Sequence, residues 1–510
     1  MWWILVCIGA GVGMAKANSV QPEERAMRQR LEDQRSEHTY RMRWRVRGWN
    51  GWQTYGRIEW ESEDQRAFFL HERDAGERWA DFYTMHYTRR AKWGEIALGD
   101  VRPKAGGGML WGRGRHGMPT ERWSLRESRD LGYRSTGENG IVRGVAWRHQ
   151  VAGWKWMIAG GRAHFDARLG PEGDVVSLPK SGLHRTPTER DGRRLLYADA
   201  GGGSVERQSA VGKLGMSFQY AQFSRRLDLR RRGRTPWDFT GVRQALWSMH
   251  GSRTGRFGVW SMELGCDARG HWAGIAQGVL RYSARSFRLL IRLYEPGFYA
   301  PFSSVPSAVD GLNELGVALV VESRQGSAYV DVYRRPARSY YVPFPSTHIS
   351  WGGERRWGTS SRQLLLALRG THRSRWKNER IAVEMRTRMR LAWTQRAWTV
   401  QTQWLHWNQA RSLDEWGRAV SLRWRNLGQR VRSVIQLSTF WTDSYRSRMY
   451  EYEYDLPGTV SFRPLYGKGV RAYLLVGRRW KGVEWSFRYR LQRDRQWRHH
   501  IGGFIEWAAD

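Results

Sequence analysis

The segment Tyr40 to Arg47 reads Tyr-Arg-Met-Arg-Trp-Arg-Val-Arg, with apolar and cationic residues in strict alternation. A β-strand sends successive side chains to opposite faces. Such a strand has one apolar face (Tyr40, Met42, Trp44, Val46) and one cationic face (Arg41, Arg43, Arg45, Arg47). On a helix both sets would be spread around the circumference. The pattern therefore calls for a strand with an apolar medium on one side and water or counter-charge on the other.

The same rhythm recurs along the chain. Ile381, Val383, Met385, Thr387, Met389 and Leu391 alternate with Arg380, Ala382, Glu384, Arg386, Arg388 and Arg390. Val483, Trp485, Phe487, Tyr489 and Leu491 alternate with Glu484, Ser486, Arg488, Arg490 and Gln492, and Leu422 and Trp424 with Arg423 and Arg425. Segments of roughly 9–12 residues match a tilted membrane-crossing strand. Longer breaks near 103–138, 167–192, 226–240, 296–312 and 335–346 read as loops, while the region 100–200 resists division into strands. At about 18–21 residues per strand and connection, residues 39–510 make an all-β, transmembrane antiparallel β-barrel of about 24–26 strands, one domain with an even strand number.

A soluble antiparallel sheet also alternates. Strand length and the abundance of aromatics (31 Trp, 21 Tyr and 16 Phe) favour the membrane. No internal stretch approaches the about 18 apolar residues of a spanning helix. Met1 to Met14 is an apolar run suited to a signal-peptide core, and Ala15-Lys16-Ala17 has the small-x-small form of a cleavage site. Residues 1–17 are thus expected to be a signal peptide, although no Lys or Arg precedes the apolar run. Residues 18–38 carry mixed charge, and Pro22-Glu23-Glu24 suits a helix N-terminus, so a short periplasmic helical lead-in is expected. The expected location is the outer membrane, in contact with its lipid and lipopolysaccharide.

Enzymatic signals are weak. Of the two cysteines only Cys266 survives removal of the leader, which excludes a disulfide framework or a cysteine metal site. The histidines, His499-His500 included, show no ligand spacing. Ala105 to Gly114 is Gly-rich but lacks the Gly-Lys-Ser/Thr ending of a phosphate loop, and reads as a tight turn where backbones approach. No nucleophile elbow is present. No catalytic residue, metal or cofactor is expected.

The charge is more telling. With 85 basic and 48 acidic residues, the chain carries a formal +37. Pairing cannot neutralise that set, and guanidinium stays charged at neutral pH. If alternate residues face a lumen, Arg41, Arg43, Arg45, Arg47, Arg380, Arg386, Arg388, Arg390, Arg423, Arg425, Arg488 and Arg490 line it and attract anions. Tyr40, Met42, Trp44, Val46, Ile381, Val383, Met385, Trp485, Phe487 and Tyr489 then face lipid. The expected function is a channel or translocation pore for anionic solutes or polymers. The alternative is a structural or docking barrel of an envelope complex, its lumen filled and its arginines paired. Nucleic acid is a further candidate partner, but the arginines spread over the whole chain rather than forming one patch.

Five blocks of sequence resemble a known group. Leu98-Gly99-Asp100 through Gly106-Gly107-Gly108-Met109-Leu110-Trp111-Gly112 resembles a "GD…FGxGL" turn. Residues 133–146, YRSTGENGIVRGVA, resemble a "YRSxxExGxxRGVA" signature. Phe298-Tyr299-Ala300-Pro301-Phe302, Asn313-Glu314-Leu315-Gly316 and Tyr329-Val330-Asp331-Val332-Tyr333-Arg334 resemble later "FYxPF…NExG…YxDxFR" blocks. Together they look like a group of large exported β-barrels of Bacteroidota-like bacteria. Its members often carry an N-terminal helix-hairpin-helix domain of the DNA-uptake type. The resemblance spans about residues 95–350 and implies an outer-membrane barrel, with DNA uptake as a further candidate role. This chain departs in leaving no room for that domain between residue 18 and the first strand, and in placing Gly106-Gly107-Gly108 where Phe-Gly-x-Gly is usual. Asn313, Glu314 and Asp331 are carried over as structural or lumenal positions only.

Overall fold

A computed structural model describes residues 38–509 except 49–50, 80, 113–116, 122, 126–129, 231–234, 310, 340–341, 378–379, 410–412, 429, 458 and 495. The expected signal peptide, and all but His38 of the expected lead-in, lie outside the described residues. Twenty-four strands form one closed antiparallel barrel (24-stranded), within the expected range. The first strand, His38–Gly48, pairs with Trp52–Ser62 on one side and with the last strand, Trp497–Ala509, on the other. Trp44 lies opposite Ile505 across that seam. Closure leaves no free edge for aberrant pairing.

Connections divide by rim. On one rim, connections such as 152–153, 256–257, 396–397 and 481–482 are two residues long. Ala152-Gly153 and Lys481-Gly482 have positive φ at both positions (48° and 79°, 43° and 78°). That is the mirror-image turn whose twist suits a tight hairpin, and glycine takes its second position without strain. The other rim carries the long connections 102–141, 166–195, 229–239, 295–313, 336–345 and 443–467. Five of these coincide with the breaks read from the sequence. Connection 166–195 also holds two short strands, Arg168–Leu169 and Val175–Ser177, and a five-residue helix, Pro187–Asp191, capped by Thr186. Several strands are longer than expected, up to 17 residues in Gly212–Asp228.

Alternation governs burial. In Gly258–Asp267, Met262 and Leu264 are each 48% exposed while Glu263 between them is 0% exposed. The outward positions are aliphatic at mid-strand, as with Val317, Leu319 and Ile435, and rich in tryptophan near strand ends. Trp154, Trp260, Trp393, Trp398, Trp480 and Trp485 lie exposed beside the short turns, and Trp272, Trp376, Trp416 and Trp497 beside the opposite rim.

Two segments of the long-loop rim fold back inside the barrel. Part of connection 102–141 packs with connection 295–313 against inward side chains of the neighbouring wall. There Met109, Leu110, Trp111, Trp123 and Phe302 join the largest buried apolar cluster. Across the barrel, connection 443–467 forms a separate two-stranded hairpin, Met449–Tyr454 paired with Val460–Leu465.

Candidate functional site

The hairpin brings six of the twelve singled-out arginines together. Its first strand reads Met-Tyr-Glu-Tyr-Glu-Tyr, acidic where the wall is basic. Glu453 accepts from Arg490 Nε at 3.0 Å and from Arg471 Nη1 at 3.1 Å, and Asp455 accepts from Arg488 Nη1 at 2.5 Å. All of these side chains are buried. Glu451 receives the Ser438 hydroxyl at 2.8 Å. Arg423 donates to the Tyr452 carbonyl at 3.1 Å and Arg386 to the Arg448 carbonyl at 2.8 Å. Arg425 donates to the Tyr454 hydroxyl. Arg388 sits 5.7 Å from the Tyr450 ring centre and Arg423 5.5 Å from that of Tyr454. Leu456, near the hairpin tip, packs close to Gly502 on the last strand. The hairpin thus touches wall strands from Arg380–Gln395 round to Trp497–Ala509, a geometry available only to a segment inside the barrel.

Charge-assisted hydrogen bonds and ion pairs hold their geometry best where water is excluded. Removing either partner leaves the other as an uncompensated buried charge. The hairpin is therefore a fixed part of the wall's charge pattern.

The remaining arginines lie nearby. Arg45 is buried with its guanidinium 4.3 Å from the Tyr55 ring centre, and Arg47 is half-buried beside it. Arg43, half-buried, pairs with Glu506, and exposed Arg41 lies 3.7 Å from the same carboxylate. Arg390 is half-buried, and the side chain of Arg380 lies outside the described residues. Of the apolar partners, Tyr40, Met42, Trp44, Ile381, Met385, Trp485 and Phe487 are exposed on the opposite face. Val46, Val383 and Tyr489 are half-buried, the last with its hydroxyl 2.7 Å from His499 Nδ1.

On the other side of the interior, hydrogen bonds hold connection 102–141 to the wall. Gly107 N donates to Glu263 at 2.8 Å, Trp123 Nε1 to the Gly107 carbonyl at 2.9 Å and Trp111 Nε1 to the Phe218 carbonyl at 2.9 Å. A Cβ at Gly107 would lie 2.1 Å from the Trp123 ring, so only glycine fits. The Gly-rich run is read from the sequence as a tight turn where backbones approach; at Gly107 the close neighbours are the Trp123 ring and the Glu263 carboxylate, both side chains. Glu314 and Asp331, carried over by resemblance, both bind buried Arg292, at 2.6 and 2.7 Å. Glu314 also receives the Ser307 hydroxyl at 2.6 Å, which ties connection 295–313 to the wall. Asn313 bonds both ways with the main chain of Ala337, a turn-shaping role.

The sequence reading missed the hairpin carboxylates. Their signal is the run from Tyr450 to Tyr454, alternating like a strand but with reversed charge, followed by Pro457-Gly458.

No family model and no curated protein matches the chain. Among solved structures it is similar to the P pilus usher PapC translocation pore, at 8% identity and TM-score 0.41, covering 93% of this chain and 99% of that one. It is also similar to the siderophore receptor PirA of Pseudomonas aeruginosa, at 9% identity and TM-score 0.43, covering 93% and 81%. OccK10 (OpdN) of Pseudomonas aeruginosa matches at 10% identity and TM-score 0.31, covering 61% and 93%.

Proposed function

We propose that the chain is an integral outer-membrane barrel that conducts anionic solutes or polymers through a narrow, arginine-walled lumen. The observation that carries this reading is the partition of the two faces. Outward positions are apolar, with tryptophans beside both rims, as a wall seated in lipid requires. Inward positions include guanidinium groups of Arg45, Arg288, Arg292, Arg471, Arg488 and Arg490, and the chain as a whole carries 85 basic against 48 acidic residues. Lipid and lipopolysaccharide are then the partners of the outer face. Long loops on one rim, with short turns and both ends of the barrel chain on the other, match an extracellular and a periplasmic side. An interior rich in fixed cationic charge concentrates anions and repels cations. The resemblance to the helix-hairpin-helix group adds phosphate-rich polymers, DNA among them, to the candidate cargo.

The test is single-channel recording in planar bilayers under a salt gradient, comparing wild type with a barrel in which residues 443–467 are replaced by a short Gly-Ser turn. Both conduct with anion preference, and the shortened barrel conducts several-fold more. Cation preference would overturn the reading. The two inward-folded segments favour a second reading, a filled docking barrel for an envelope complex. Silence of the shortened barrel, with a periplasmic protein copurifying, would establish that reading instead.

A further inference from the structure

On the long-loop rim, residues from three separate connections meet around one imidazole. Glu77 and Asp81 lie in connection 74–81, Glu138 near the end of 102–141, and Asp166 and His184 in 166–195. The His184 side chain is 2% exposed. Its Nδ1 lies 2.6 Å from Asp81 Oδ2 and 3.6 Å from Glu138 Oε2. Its main-chain N–H donates to Glu77 Oε1 at 2.9 Å. One ligand atom each from Glu77, Asp81 and His184 fall within 4.8 Å of one another, and all three residues are buried.

Two features distinguish this cluster from a group of neighbouring acids. The first is the division of the imidazole. Nε2 faces Asp166 Oδ2 at 3.2 Å, and Asp166 is held by Asn139 Nδ2 at 3.1 Å and by the Arg194 main-chain N–H at 3.1 Å. A carboxylate on the far nitrogen is how a metal-ligating histidine is oriented, with its near nitrogen left to the ion. The second is Glu138. Its Oε2 has no hydrogen-bond partner, its side chain is only 11% exposed, and it is aimed at the Nδ1 side of the ring. A buried acceptor without a donor is an exception in folded proteins. Arg193 lies 3.4 Å from Asp81. Burial, then Asp81, Glu77 and Asp166, pushes the Glu138 carboxyl up to about 9.

We propose that Glu77, Asp81, Glu138 and His184 bind one divalent transition-metal ion, with Asp166 as a positioning residue for the imidazole. One nitrogen among carboxylate oxygens suits zinc, manganese or iron(II), whereas calcium and magnesium favour all-oxygen shells. Bonds of roughly 2.0–2.2 Å place ligand atoms about 3.3 Å apart, so the Asp81–His184 pair opens by several tenths of an ångström as the ion replaces its shared proton. The bound ion ties together three connections of one rim, among them the one that sends Gly107 and Trp111 into the barrel. The site is thus a latch on the inward segment, independent of what the lumen conducts.

The experiment is calorimetric titration of the detergent-purified, chelator-stripped barrel with zinc, manganese and calcium chlorides. One saturable zinc or manganese site per chain is expected, with calcium about 100-fold weaker. His184→Ala and Glu138→Gln each weaken binding by about tenfold or more while keeping the unheated-gel mobility of a folded barrel. His499→Ala, at an exposed histidine elsewhere, changes nothing. No saturable binding of either transition ion, equal binding by a folded His184→Ala barrel, or calcium binding as tight as zinc would overturn the proposal. Should both variants fail to fold, X-ray absorption of zinc-loaded wild type decides. One nitrogen with oxygen neighbours supports the site, and an all-oxygen or several-nitrogen shell rejects it.

Discussion

Arg292 shows how one side chain can govern a whole connection. Its guanidinium is fully buried between Glu314 and Asp331, and Glu314 in turn holds Ser307 and the Ala308 main chain. Replacing both signs of a buried pair by apolar groups is often harmless, whereas removing one partner strands a charge. Arg292→Met would strand two. The expected loss is about 3–5 kcal/mol, read as a lower guanidinium midpoint in detergent. The companion triple variant Arg292→Met, Glu314→Gln, Asp331→Asn should recover much of that loss, because no net charge is then left buried. A triple variant no more stable than the single would mean that packing, not charge, sets the cost. The same logic explains Glu263, whose acidity looks misplaced in an apolar strand until its phase is counted. It points inward, and Gly107 N and Ser248 Oγ satisfy it.

At the scale of elements, the hairpin Met449–Tyr454/Val460–Leu465 is held at its acidic positions by buried arginines of the wall. In Glu453→Gln with Asp455→Asn, Arg471, Arg488 and Arg490 lose their counter-charges. The hairpin should detach before the barrel unfolds, seen as new protease cleavage within 443–467 while gel mobility of the folded barrel persists. Cleavage unchanged from wild type would mean that Tyr450, Tyr452, Tyr454 and Leu456 anchor the hairpin without those charges. The wall itself was legible from the sequence because dyad alternation is a local property. Tyr40 to Arg47, Arg380 to Leu391 and Val483 to Gln492 each declare two faces within about ten residues. Loop positions were legible as well, since the alternation simply stops. What fills the interior was not. Glu451, Glu453 and Asp455 sit in an alternating run indistinguishable in pattern from a wall strand, because alternation does not say whether a strand joins the barrel or folds inside it. The cluster around His184 was invisible for a different reason. Its members stand between Glu77 and His184, on three connections, and no local spacing links them.

At the scale of the whole molecule, an even number of antiparallel strands puts both ends of the barrel chain on the same rim. Every connection on that rim is two or three residues long, while every long connection and the two inward-folded segments belong to the other. In an outer-membrane barrel the short turns lie on the periplasmic side and the long loops outside. The His184 cluster then lies within the extracellular rim, from which the clamped hairpin is anchored as well. In a Cys266→Ser background, Glu172→Cys lies on an exposed turn of connection 166–195, and Ala284→Cys on the exposed short turn 283–284. A membrane-impermeant maleimide should label Glu172→Cys on intact cells, and Ala284→Cys only after the outer membrane is permeabilised. The reverse order would invert the barrel and move the proposed metal latch to the periplasmic side. Labelling of both on intact cells would mean that the wall does not seal a membrane, and with it would fall the lipid-facing role of the tryptophans beside both rims.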